Sequence, residues 1–106
     1  MKIITYNKLV RDRIPEIIEK SGKCCSVEIL SDAEYLLMIN KKLDEELAEY
    51  HKDQSIEELA DLLEVIYAAT EARGYTINQL EEIRLKKQLE RGAFKEKILL
   101  KEVIEE

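Results

Sequence analysis

EELAEYHKDQSIEELADLLE, residues 45–64, reads as the end of one helix, a turn and the start of another. Glu46 and Glu49 lie three apart in the first segment, and Glu58 and Asp61 lie three apart in the second. At 100° per residue each helix therefore carries an acidic pair on one side. Eight residues separate Glu49 from Glu58, with Asp53, Gln54 and Ser55 as the turn between antiparallel neighbours. Both pairs then sit within a turn of the joined ends, and four carboxylates converge.

The pattern extends outward on both sides. Leu36, Ile39, Leu43, Leu47 and Tyr50 recur at three and four residues, predicting a helix from Glu34 to about Lys52 behind a Ser31/Glu34 capping box. Ser55 with Glu58 opens a second helix that runs to Arg73 before Gly74, and Thr76 with Gln79 opens a third that runs to about Glu90 before Gly92. Pro15 starts a shorter helix that ends near Ser21 and Gly22. Residues 25–30 are rich in β-branched and apolar types, and the tail 94–103 reads either as further helix or as a strand; a small β-ribbon pairing 97–103 with residues 25–30 is the favoured expectation. The expected fold is mainly α, an antiparallel helical hairpin within a small bundle.

At 106 residues the chain accommodates one domain, and 45% hydrophobic with 38% charged residues supplies a core and a charged exterior. A net charge of -6 argues against nucleic acid and anionic membrane as partners, because both reward surplus Lys and Arg. Cys24 and Cys25 are adjacent, which suits neither a disulfide framework nor a zinc site and predicts free thiols in a reducing compartment. No apolar stretch approaches the ~20 residues of a membrane span, and no secretory h-region follows the N-terminus, so a cytoplasmic protein is expected.

The direction of the acids carries chemical information. Asp61 shares its helical stripe with Val65, Ala68 and Ala72, and Glu58 falls between Val65 and Ala69. Ionised carboxylates facing an apolar side are costly unless something positive sits among them. Oxygen donors without His or Cys suit a hard cation, and Mg2+ commonly bridges protein carboxylates to substrate phosphates. Taken singly, each pair reads as a solvated face: Lys42 can pair with Glu46, and Glu58 can close the box begun by Ser55. Two matched pairs on consecutive helices are harder to assign to solvation.

The series EExxE then ExxD, here Glu45, Glu46, Glu49, Glu58 and Asp61, resembles the signature of the all-α nucleoside triphosphate pyrophosphohydrolases, the MazG-like proteins, related to phosphoribosyl-ATP pyrophosphohydrolase. The opening YNKLVRDRIPEIIEK and the closing RGAFKEKILLKEV are similar to the ends of a short MazG-like subgroup, so the resemblance spans nearly the whole chain. It implies Mg2+-dependent hydrolysis between the α and β phosphates of an NTP or dNTP, giving the monophosphate and pyrophosphate. It further implies that Glu46, Glu49, Glu58 and Asp61 are metal ligands, with Glu45 either supporting those ligands without touching the metal or orienting the attacking water.

Cations for the distal phosphates are expected from Lys8, Arg11 and Arg13 near the start and from Lys87 and Arg91 near the end, although each alone reads equally well as a surface ion pair. Glu64 is a fifth acid at the margin, and His51 receives no role. The second predicted long helix is apolar in almost every direction, which predicts self-association, a homodimer being the default. Two alternatives stand beside this reading: hydrolysis of phosphoribosyl-ATP, and a non-enzymatic acidic helical module that dimerises or binds a basic partner.

Overall fold

A computed structural model describes residues 2–105; Met1 and Glu106, the ends of the expected 1–106 domain, lie outside the described residues. Four helices follow one another: α1 Ile14–Lys20, α2 Asp32–Asp53, α3 Ile56–Ala72 and α4 Ile77–Arg91. Contacts cluster in two units, one up to Tyr75 and one from Thr76 onward, and each is described by itself.

In the first unit, α2 and α3 pack as a hairpin. The Ser31 hydroxyl accepts from the Glu34 amide at 3.3 Å and starts α2. The helix ends on Gln54, whose φ of 52° turns the chain in the left-handed region with its amide donating to the Tyr50 carbonyl. Ser55 then accepts from the Glu58 amide at 3.3 Å and starts α3, so only Gln54 and Ser55 join the two helices. Past α3, Gly74 adopts φ 87°, a conformation costly for any residue bearing a Cβ.

The expected apolar face of α2 is present. Ile39 is buried at 3% exposure, Leu36, Leu43 and Tyr50 are half-buried, and Leu47 is exposed. Burial of a side chain such as Ile39 contributes about 1.5–3 kcal/mol. It is the only buried residue among those described. α1 begins beside Pro15, whose missing N–H costs nothing in a first turn, and Cys24 and Cys25 are both free thiols.

In the second unit Thr76 and Gln79 complete a reciprocal capping box at the start of α4. The tail beyond it corrects the sequence reading. No strand occurs among the described residues: 24–30 and 97–105 have no regular structure, and Ile29, Ile98, Leu99 and Leu100 are 92%, 83%, 81% and 74% exposed. The composition suits strands, but a strand exists only with a paired edge, and among the described residues neither segment has one. Among the described residues no helix is long and apolar enough to cross a membrane.

Candidate metal centre

The short turn brings the acids of α2 and α3 together. Carboxylate oxygens of Glu46, Glu58 and Asp61 lie within 4.8 Å of one another, and so do those of Glu49, Asp53 and Glu58. Glu58 belongs to both sets. Its amide is capped by Ser55, yet its side chain does not close the box. Instead Glu58 Oε2 is buried and has no hydrogen-bond partner. Desolvation raises the Glu58 pKa, and the charges of Asp61, Asp53, Glu49 and Glu46 raise it further. An orphaned acceptor among like charges is what a bound cation would relieve.

Cations of the chain itself border the cluster. Lys42, its side chain 20% exposed, reaches Glu45 Oε1 and Glu46 Oε1, both at 3.3 Å, and Lys8 reaches Glu45 Oε1 at 3.2 Å. At Glu45 desolvation pushes the pKa up, but the hydrogen bonds from Lys8 and Lys42 outweigh it and leave the group below its ordinary value. Arg11 Nη2 donates to Asp61 Oδ1 at 2.7 Å, while Nη1 stands 3.9 Å from Glu64 Oε1. Glu64 is thus an ion-pair partner at the margin.

The remaining candidate cations are placed differently. Arg13 pairs with Glu16 at 3.4 Å within its own turn and leaves the acids to Lys8 and Arg11. Lys87 and Arg91 lie in the second unit, where they line a groove of about 600 Å³ with Gln88 and the exposed ring of Phe94. Asp53 was expected as a turn residue. It joins the cluster because α2 runs one residue past Lys52, which sets Asp53 four after Glu49 on the same face. That spacing was the available signal.

The donor set fits a hard divalent cation. It offers carboxylate oxygens from two helices with no His or Cys among them, and Glu58, the residue both sets share, has a buried oxygen without a hydrogen-bond partner.

No family model matches the chain, and no solved structure matches it. An uncharacterized protein of Mycolicibacterium smegmatis is 55% identical over 42 residues, which span 40% of this chain and 43% of that protein. The likeness therefore covers under half the length of either.

Proposed function

We propose that this chain is a MazG-like nucleoside triphosphate pyrophosphohydrolase that uses Mg2+ held by Glu46, Glu49, Glu58 and Asp61. The observation that supports it most is the buried, partnerless Glu58 oxygen at the centre of acids drawn from both helices of the hairpin. A solvated acidic face would leave each carboxylate to water, and the bland capping role for Glu58 does not account for where its side chain goes.

Glu46, Glu58 and Asp61 would hold the cation, with Glu49 and Asp53 extending the cradle through the same Glu58. When bound, Mg2+ supplies charge neutralisation for the phosphates and for the departing pyrophosphate. A carboxylate of the cluster that is left free accepts the proton of the attacking water. Water adds across the α–β anhydride, the bridging oxygen leaves with pyrophosphate, and the nucleoside monophosphate remains. Glu45, which pairs with Lys8 and Lys42, would orient that water. Arg11 and Lys8 border the acids and would meet the phosphates of bound substrate, Lys42 remaining on Glu45.

The test is pyrophosphate release from a panel of NTPs and dNTPs, with and without Mg2+, that also includes phosphoribosyl-ATP. Metal-dependent release by the wild type, lowered at least ~100-fold by Glu58→Ala and by Asp61→Ala, is the expected result. Full activity in both variants, or no turnover of any substrate, overturns the proposal. Turnover confined to phosphoribosyl-ATP would reassign the substrate.

A further inference from the structure

The hydrolytic step uses no residue of the second unit, yet that unit holds a groove of about 600 Å³. Arg84, Lys87, Gln88 and Arg91 fall three, one and three residues apart, so one face of α4 supplies its wall. Past Arg91 the amide of Gly92 donates to the Gln88 carbonyl at 2.8 Å, and a φ of 82° turns the chain there, a conformation strained for any residue with a Cβ. Ala93 and Phe94 then complete the groove, and the Phe94 ring is 99% exposed.

No lining residue is acidic. Arg84 pairs with Glu81 within α4, whereas Lys87 and Arg91, four apart, have no ion-pair partner among the described residues. Six Lys and Arg stand against two Glu between residues 84 and 97, in a chain whose net charge is -6. Two neighbouring cations left without an acid in so acidic a chain, beside a bare aromatic ring, point to a ligand from outside.

We propose that this groove binds a nucleoside monophosphate, without metal, through residues of the second unit alone. The base stacks on Phe94, and the phosphate lies between Lys87 and Arg91. Arg91 presents a planar fork to two phosphate oxygens and Lys87 adds a second positive charge, which together match the near-dianion of a monophosphate at neutral pH. A triphosphate carries more charge than two cations neutralise. Stacking on a ring this open accepts any base, and the volume lies within the roughly 300–1,000 Å³ of small-ligand sites. A longer strand would run past the groove and meet the repulsion of the chain's net negative charge. A nucleoside monophosphate is also what the proposed hydrolysis releases, but binding here does not depend on that reaction.

The test is titration of the isotope-labelled full chain in EDTA, read by amide NMR shifts, with adenosine and uridine monophosphates, adenosine, ribose phosphate and a short single-stranded oligonucleotide. Both monophosphates are expected to shift amides of residues 84–94 with dissociation constants below about 1 mM. Adenosine and ribose phosphate are expected to bind at least ~10-fold more weakly. Phe94→Ala and Arg91→Gln are each expected to weaken monophosphate binding at least ~10-fold, and Phe94→Tyr to retain it. A ring this exposed holds nothing together, so loss of binding in Phe94→Ala reports on the ligand and not on the fold. Ribose phosphate binding as tightly as the monophosphates would make the groove an anion site only and overturn the proposal. Shifts confined to the first unit, no shift at millimolar nucleotide, or an oligonucleotide bound more than ~10-fold more tightly would overturn it too. None of these outcomes involves Mg2+ or turnover, so failure here and failure of the hydrolase reading are told apart.

Discussion

Glu58→Gln perturbs the one side chain that both acidic sets share. The amide keeps the shape of the carboxyl, removes the charge that Asp61, Asp53, Glu49 and Glu46 oppose, and takes away one ligand of each set. With Mg2+ at 100 times its dissociation constant, binding stabilises the wild type by about 2.7 kcal/mol. At 4–8 °C per kcal/mol for a chain of this size, that corresponds to a rise in melting temperature of roughly 10–20 °C. Loss of the shared ligand weakens binding at least ~100-fold, and the same metal concentration then contributes only about 0.4 kcal/mol, or roughly 2–3 °C. Thermal melts with Mg2+ and with EDTA measure both values. In EDTA at neutral pH the variant melts no lower than the wild type, since a repelled charge has gone. A metal-induced rise of wild-type size in Glu58→Gln would refute the reasoning.

Three further outcomes follow from the same geometry. A raised Glu58 pKa means the folded state binds that proton more tightly than the unfolded one; its stabilising contribution is full below the ordinary value of 4.5 and is lost as pH rises through the raised value. In EDTA the melting temperature of the wild type relative to Glu58→Gln therefore falls as the pH rises from 4.5, and a difference that stays constant would contradict this. Arg11→Met removes an exposed ion pair worth about 0.2–1 kcal/mol, frees Asp61 Oδ1 so that metal binds more tightly by calorimetry, and raises the KM for nucleotide about tenfold with a smaller change in kcat. Ser55→Ala removes the cap of α3 at a cost of about 1 kcal/mol, so the melting temperature falls by roughly 4–8 °C.

The helical part of the fold was legible because its determinants are local. Ser31, Ser55 and Thr76 mark the helix starts within three residues of their partners, and the apolar period of α2 is read over a few turns. That acids of both helices meet at Glu58 was legible for the same reason, since a short turn leaves two adjoining helices little choice but to lie side by side; their division into two sets of three, with Glu49 beside Asp53 rather than with Glu46 and Asp61, was not. The β-ribbon was not, because apolar, β-branched residues around Ile29 and Ile98 set a preference whose fulfilment needs a partner far along the chain.

Assignment of cations to acids met the same limit. Lys8, Arg11 and Arg13 look alike in sequence, but Lys8 and Arg11 reach Glu45 and Asp61 across 37 and 50 residues, whereas Arg13 takes the nearby Glu16. Asp53 was hidden by a boundary: one further residue of helix turns a loop acid into a member of the cluster.

The most direct measurement is diffraction from crystals soaked with Mn2+, as an anomalous stand-in for Mg2+, and a non-hydrolysable nucleoside triphosphate. An anomalous peak at coordination distance, roughly 2.1 Å, from Glu58 and from oxygens of Glu46 or Asp61, with phosphate on its open side, is the predicted result. A nucleotide bound with no metal among these carboxylates, or a metal seated elsewhere, would contradict the account.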